Sequence, residues 1–167
     1  MKKILAETLT REAFADFGDV LDMDGENHHP INGGKAERYH DLARVEAEGP
    51  NARVLISIVK STHYAFPLRL SMVERHPFGS QAFMPLAPRP FVVVVCHDGE
   101  DGPGAPHAFV TEPGQGVNYR RNTWHGVLTP INEPQEFLVV DRGGDGSNLE
   151  EFFFDEPWEI HLPGMTL

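Results

Sequence analysis

Two short segments of the chain carry acidic, basic and amide side chains at spacings that could form one chemical site. In the first segment Glu74 and His76 lie two residues apart, and Gln81 follows after a Pro-Phe-Gly-Ser turn. Side chains on a strand alternate between its two faces, so Glu74 and His76 share a face. Continued alternation puts Leu70 and Met72 on the same face, which we expect to point toward the core. A carboxylate and an imidazole in such a place can carry protons near neutral pH.

The second segment, residues 116–127, supplies further polar groups. Asn118 and Arg120 share a strand face by the same alternation, and His125 follows an Asn-Thr-Trp corner. Arg120 and Arg121 must point to opposite faces, so at most one of them points inward, and we expect that one to be Arg120. A guanidinium binds a carboxylate through two parallel hydrogen bonds. The alternative for both segments is structural, with the acid and the histidines satisfying one another inside the core.

The elements that must position these residues are short strands. The chain has 16 glycines and 14 prolines, which leaves little room for long helices. One short helix is predicted at residues 10–17, with Thr10 as its N-cap and Gly18 as its stop. Apolar runs predict strands at 53–60, 69–76, 81–86, 91–96, 107–111, 117–121, 125–129 and 136–142. This pattern predicts an all-β fold, an antiparallel barrel or sandwich, in one domain covering residues 1–167.

The remaining segments give weaker indications. Residues 97–106 are expected to form a long turn, with Cys96, His97 and His107 on the surface around it. Asp141 and Arg142 are expected to form a structural ion pair. The tail, residues 146–167, holds aromatic residues among acids and prolines. It is expected to pack either on its own barrel or on a partner subunit.

Composition excludes several classes of partner. The formal net charge of −11 disfavours nucleic acid and anionic membrane surfaces. The longest β-branched run, Phe-Val-Val-Val-Val, is far too short to span a membrane. Cys96 is the only cysteine, so no disulfide can form within the chain, which favours a cytoplasmic location.

The two polar segments also fit the spacing of the paired motifs of cupin β-barrels. In that pattern one strand carries His-x-His with an acid five residues later, and a second motif reads Pro-x-Gly-x-x-His. Here residues 74–81 occupy the first position and residues 120–125 the second, with the spacing kept and several residue types changed. The match predicts a cupin-like barrel, or double-stranded β-helix, and raises the possibility of one divalent metal ion. Its ligands would be Glu74, His76, Gln81 and His125.

Longer strings identify a family. Five segments of the chain, taken in order, resemble the ureidoglycolate lyase family, formerly called ureidoglycolate hydrolase. They are ERYHDLA (37–43), VERHPFGSQAF (73–83), FVVVV (91–95), QGVNYRRNTWH (115–125) and FLVVDRGG (137–144). The resemblance spans roughly residues 14–145 and leaves the tail unmatched. It implies a cupin-like barrel, a homodimer, and cleavage of (S)-ureidoglycolate to glyoxylate and urea in allantoin degradation. A divalent metal such as Ni²⁺ is associated with some members.

The implied reaction needs a base, an acid and a cation. Cleavage removes the substrate's hydroxyl proton, forms a carbonyl and expels urea, whose nitrogen must be protonated. The resemblance therefore gives Glu74, His76 and His125 catalytic roles. A cation is needed for the substrate carboxylate, and a metal could lower the pKa of the hydroxyl. The side chains expected to bind the substrate are Arg38, Tyr39, His40, Asn118 and Arg120.

Three interpretations of function compete. The first is the lyase. The second is an amidohydrolase on the same substrate, which would release ammonia and carbon dioxide in place of urea. The third is a non-catalytic cupin-like module that binds small carboxylates. For residues 38–41 the alternative to a role at the pocket mouth is a solvated loop.

Overall fold

Strands make up almost all regular structure in the computed structural model, which describes residues 1–164. The strands are β1 (Lys2–Leu5), β2 (Glu7–Thr8), β3 (Gly18–Leu21), β4 (His28–Ile31), β5 (Ala36–Tyr39), β6 (Arg53–Ser61), β7 (Leu68–Arg75), β8 (Gln81–Pro85), β9 (Phe91–Gly99), β10 (Gly102–Val110), β11 (Gly116–Tyr119), β12 (Trp124–His125), β13 (Thr129–Pro130), β14 (Gln135–Gly143) and β15 (Glu150–His161). One α-helix, α1 (Arg11–Phe14), and one 3-10 turn, Asn32–Gly34, complete the list. No helix within residues 1–164 is long and apolar enough to cross a membrane.

Two sheets face each other and enclose the core. The large sheet has the order β1-β15-β7-β12-β9-β10-β2, with β13 paired to β9, and the small sheet has the order β3-β11-β8-β14-β6. Neighbours are antiparallel, apart from the parallel pairs β1–β15 and β2–β10. This arrangement confirms the predicted all-β, cupin-like barrel. The hairpin of β4 and β5 forms a separate two-stranded sheet.

Strand β9 is buried on both faces and divides the apolar side chains into two groups. Phe91, Val93 and Val95 belong to the inner core, which fills the space between the sheets together with Phe14, Phe83, Val117, Tyr119, Phe137 and Val139. Val92, Val94 and Cys96 belong to the outer core on the opposite face, together with Leu68, Leu70, Val73, Trp124 and Ile160. The continuous Val run is therefore explained by burial on both sides.

The helix is shorter than predicted. Thr10 is the N-cap, and its hydroxyl accepts a hydrogen bond from the Ala13 amide as expected. The helix ends at Phe14, and Gly18 opens β3 instead of stopping the helix. A Cβ at Gly18 would lie 1.9 Å from the carbonyl oxygen of Asn118, so glycine is needed for the close approach of β3 to β11.

Three predictions for β9 and its neighbours were wrong. Residues 97–106 are mostly strand, because β9 and β10 continue as a hairpin to Gly99 and Gly102. Cys96 is buried inside β9, whereas His97 and His107 are exposed as expected. The predicted strand 125–129 is interrupted, since β12 ends at His125 and β13 begins at Thr129.

The tail forms a strand of its own chain's large sheet. Strand β15 pairs with β7 on one side and with β1 on the other. Ile160 is fully buried, opposite Leu68 and Ile4. The last three residues of the tail, 165–167, lie outside the described residues.

Candidate active site

Three predicted residues meet inside one end of the barrel. Glu74 and His76 lie at the end of β7, and His125 on β12 stands directly opposite Glu74. One ligand-type atom from each side chain lies within 4.8 Å of the others. The two imidazole centroids are 5.2 Å apart, and Nε2 of His76 is 3.8 Å from Oε1 of Glu74. We call Glu74, His76 and His125 the Glu-His-His cluster.

Strict alternation along β7 does not explain why the side chain of Glu74 faces the barrel interior. Leu70 and Val73 both pack in the outer core although they are three residues apart. The pairing of β7 with β15 shifts register between Trp158 and Phe153. The side chains of β7 before and after this point therefore do not follow one continuous alternation between the two faces. Glu74 consequently points to the face opposite Leu70. The predicted shared face of Leu70 and Glu74 was wrong: Leu70 is buried in the outer core, whereas Glu74 is half-buried on the opposite face.

Backbone carbonyls orient both imidazoles of the cluster. Nδ1 of His76 lies 2.8 Å from the carbonyl oxygen of Asn148, and Nδ1 of His125 lies 3.0 Å from that of Gly126. A carbonyl oxygen only accepts, so each Nδ1 carries the hydrogen and each Nε2 presents a lone pair. Both Nε2 atoms are buried and have no hydrogen-bond partner among the described residues. Buried acceptors of this kind are suited to a metal ion or a substrate proton.

Burial shifts the proton affinities of the cluster in opposite directions. It raises the pKa of Glu74, an effect that His76 opposes and Glu151 reinforces. It lowers the pKa of His125 to about 3, with a smaller downward contribution from His76. The carbonyl of Gly126 acts in the other direction on His125. His125 is therefore neutral at physiological pH, while Glu74 binds its proton more tightly than an exposed acid does.

Tyr119 supports the cluster and is not among the predicted site residues. Its ring stacks on the His125 imidazole, with centroids 4.3 Å apart and planes 5° from parallel. The side chain is buried in the inner core, and burial raises its pKa. Alternation along β11 could have revealed it, because Val117 two residues earlier also points inward.

Gln81 points to the same interior. It stands opposite Tyr119 in the pairing of β8 with β11, and Phe83 two residues later lies in the inner core. Its Nε2 donates to Oδ2 of Asp141 over 3.3 Å. Its Oε1 is buried without a partner among residues 1–164.

The expected ion pair between Asp141 and Arg142 is absent from the described residues. Asp141 is held instead by Gln81. The guanidinium of Arg142 donates to the carbonyl oxygens of Glu48, Pro50 and Asp145, and it ties the loops there together. Adjacent strand residues point to opposite faces, so the two side chains cannot readily meet.

The structure does not bring Asn118 and Arg120 to the cluster. Tyr119 points inward, so its neighbours on either side point to the outer face of the small sheet. The Asn118 amide donates to Asp19 over 3.1 Å. Arg120 has a side chain 49% exposed and lies 4.0 Å from Asp19. Its loop does touch the cluster, because the amide of Asn122 donates to the carbonyl oxygen of His76 over 2.9 Å.

Arg38, Tyr39 and His40 lie on or beside the β4–β5 hairpin. Tyr39 stacks on His28 with centroids 5.1 Å apart, and His40 lies against His29 at 5.7 Å. Arg38 and His40 are exposed. Among the contacts described for residues 1–164, none joins these side chains to the Glu-His-His cluster.

The donor set fits a divalent metal ion. Two imidazole nitrogens with free lone pairs, one carboxylate and one amide oxygen all face the barrel interior. Imidazole nitrogen and carboxylate oxygen are common ligands of first-row divalent metals. The hydrogen bonds at each Nδ1 are the supporting contacts that such ligands normally have. The cluster can therefore bind an ion and move a proton at the same place.

Comparisons with known proteins identify the family of the chain. The family model described as ureidoglycolate lyase matches residues 1–161, which includes the tail strand β15. A ureidoglycolate lyase of Mesorhizobium japonicum is 74% identical over 98% of this chain and 100% of its own length. One of Chelativorans is 64% identical over 98% and 99%, and ureidoglycolate lyase 2 of Rhizobium meliloti is 57% identical over 91% and 93%. The chain therefore belongs to the ureidoglycolate lyase family.

Proposed function

We propose that the protein cleaves (S)-ureidoglycolate into glyoxylate and urea. The family match and the names of its relatives support this reaction. The observation that carries the proposal is an acid of raised pKa, Glu74, half-buried beside two imidazoles whose Nε2 atoms have no partner among the described residues. This arrangement supplies a proton carrier where an alcohol proton must leave and a nitrogen must be protonated.

Glu74 is the residue that moves the proton. Its carboxylate takes the proton from the substrate hydroxyl, the oxygen lone pair forms the carbonyl of glyoxylate, and the carbon–nitrogen bond breaks. The same proton is then delivered to the leaving nitrogen, which gives urea. Burial raises the pKa of Glu74, which makes its carboxylate a stronger base for the first transfer.

A divalent ion such as Ni²⁺ would be held by Nε2 of His76, Nε2 of His125, one oxygen of Glu74 and Oε1 of Gln81. When bound, it would act as a Lewis acid on a substrate oxygen. Ligation by one oxygen of Glu74 leaves the other free to accept the proton. His125 is suited to this role because it is neutral at physiological pH.

The substrate carboxylate needs a cation, and the Glu-His-His cluster itself contains neither arginine nor lysine. Arg120 stays a candidate: its side chain lies by Asp19 and not at the cluster, but it starts from the loop whose Asn122 amide contacts His76. Roles for Asn118, Arg38, Tyr39 and His40 in substrate binding stay predictions.

Replacing Arg38 by Gln tests whether the β4–β5 hairpin binds the substrate. A raised KM with unchanged kcat supports such a role, and Lys35→Gln on the same hairpin is the control.

A homodimer is the assembly we propose. Strand β6 ends the small sheet in the described residues, and an unpaired edge strand invites pairing with another chain. On one face of β6, Val54, Ile56 and Ile58 are 52%, 75% and 67% exposed. A row of exposed apolar side chains on an edge strand is typical of an interface.

Product analysis tests the reaction directly. Purified protein incubated with (S)-ureidoglycolate should release urea and glyoxylate in equal amounts. Ammonia in place of urea would assign the chain to the amidohydrolases instead. Binding of glyoxylate or ureidoglycolate without turnover, in protein supplied with divalent metal, would support the non-catalytic module.

A further inference from the structure

Asp141 places a carboxylate at the end of β14, on the inward face of the strand. Val139 and Phe137, two and four residues earlier, lie in the inner core on that face. The carboxylate is only partly buried, and its described side-chain partner is the amide of Gln81.

This contact determines which end of the Gln81 amide faces the interior. A carboxylate oxygen only accepts hydrogen bonds, so the NH₂ group of Gln81 must be the end that faces Asp141. The oxygen is thereby turned away from Asp141. That oxygen is buried and has no partner within residues 1–164. A buried acceptor left unpaired costs stability, which points to a ligand that satisfies it.

We propose that Asp141 is a positioning residue that makes Gln81 an oxygen donor to the Glu-His-His cluster. The inference rests on the proposed function, which places a divalent ion among these donors. Gln81 stands opposite Tyr119, and Tyr119 stacks on His125, so the amide faces the same interior as the cluster.

The three side chains share one design. His76, His125 and Gln81 each engage an acceptor with one atom, and each leaves the other atom buried and unpaired. For the histidines the acceptor is a backbone carbonyl. For Gln81 it is the carboxylate of Asp141. Without Asp141 the amide can rotate and present its NH₂ group, which is no metal ligand.

Amide hydrogen exchange tests the orientation without any metal. In metal-free, ¹⁵N-labelled protein, the side-chain NH₂ signals of Gln81 are assigned by their loss in Gln81→Leu. Asp141→Ala should accelerate exchange of these hydrogens by about tenfold or more, because their acceptor is gone. Asp141→Asn should preserve slow exchange, since its amide oxygen still accepts. Glu136→Ala, which removes an exposed carboxylate from the same strand, is the matched control.

Exchange that is unchanged in Asp141→Ala would overturn the proposal. Should that variant fail to fold, Asp141→Ser replaces it, because its shorter hydroxyl does not reach the amide. Melting curves of every variant establish that the comparison is made between folded proteins.

Titration with Ni²⁺ tests whether the orientation of Gln81 by Asp141 affects metal affinity. Asp141→Ala should weaken Ni²⁺ binding by about 10- to 100-fold, the usual effect of losing a residue that orients a ligand. Gln81→Leu should weaken it as much, and the double variant no further. Additive losses would contradict a role through Gln81. If the unaltered protein binds no Ni²⁺, the metal part of the proposed function fails, and the exchange measurement decides on Asp141 by itself.

Discussion

Two opposing effects act on the pKa of Glu74, burial and the neighbouring His76. Burial disfavours its charge, yet the imidazole of His76 lies 3.8 Å away and favours it. A carboxylate that binds its proton more tightly than an exposed acid is suited to accept a proton and to return it. We predict that Glu74→Gln and His76→Asn each lower turnover by about 10²-fold or more. Glu74→Gln should not lower the melting temperature at pH 7, because it removes a desolvated charge.

A matched control is available on the neighbouring strand. Glu151 stands opposite Glu74 on β15 and is exposed. Glu151→Gln removes a nearby carboxylate of the same type and should change turnover little. If the Glu74 and His76 variants melt early yet turn over normally while folded, the pair holds the barrel together and does not carry the reaction.

His125 gives the fold a dependence on pH. Its pKa in the folded protein is about 3, against 6.5 for an unperturbed histidine, so between these values the unfolded chain binds the proton and the folded chain does not. Its contribution to stability is therefore complete above pH 6.5 and is lost as the pH falls toward 3. Glu74 acts in the opposite sense, because its raised pKa favours the folded state when it is protonated.

The low pKa of His125 in the folded protein predicts a measurable dependence of the free energy of unfolding on pH. In metal-free protein, urea unfolding should show stability falling as the pH is lowered from 6.5, and His125→Gln should flatten the decline. His107→Gln replaces an exposed histidine and serves as the control. An equal decline in the His125→Gln protein would show that other groups determine the acid sensitivity.

At the scale of elements, alternation and burial predict most strands but miss irregular pairing. The FVVVV run could be predicted because β9 is buried on both faces, and the 53–60 run because its apolar residues recur at every second position. The register shift opposite β7 was not, because it depends on where β15 places Phe153 and Trp158 some eighty residues later in the chain. The residues of the cluster could be selected because polar side chains interrupt an apolar pattern, and the structure brings the three together.

The strand β15 allows a test of whether the tail belongs to its own barrel. Ile160 is 0% exposed, whereas Phe153 on the same strand is 65% exposed. Ile160→Ala should lower the free energy of unfolding by about 2–4 kcal/mol through the cavity it leaves. Phe153→Ala should change it by about 0.5 kcal/mol or less. Urea unfolding of both variants measures this, and equal small effects would mean that β15 contributes little to the fold.

At the scale of the whole molecule, the site depends on contacts that are distant in the chain. Gln81 meets Asp141 across 60 residues, and His76 meets Asn148 across 72. A strand pattern indicates which face a side chain occupies but not which partner it meets. For this reason alternation indicated Glu74, His76 and His125 as candidates, whereas the contacts of Asp141 and Asn148 are seen only in the folded barrel.

The edge strand β6 carries the prediction about assembly. An antiparallel pairing of two β6 strands about a twofold axis at Ser57 would place Ile56 of one copy opposite Ile58 of the other. The same register sets Arg53 opposite Ser61, so no like charges face each other. The small sheets of the two copies would then form one continuous sheet, and the backbone groups at the free edge of β6 would be paired in each copy.

Charge placed on this strand should separate the copies. Light scattering of the unaltered protein at micromolar concentration should give twice the mass of one chain, and Ile56→Lys and Ile58→Lys should each shift it toward a single chain. Two ammonium groups would face each other across the axis only in the double variant, which should be fully monomeric. Met23→Lys, at an exposed apolar residue outside β6, should leave the mass unchanged. An unaltered protein with the mass of one chain would end the proposal of a dimer, whereas a dimer that survives both substitutions would move the interface to another surface.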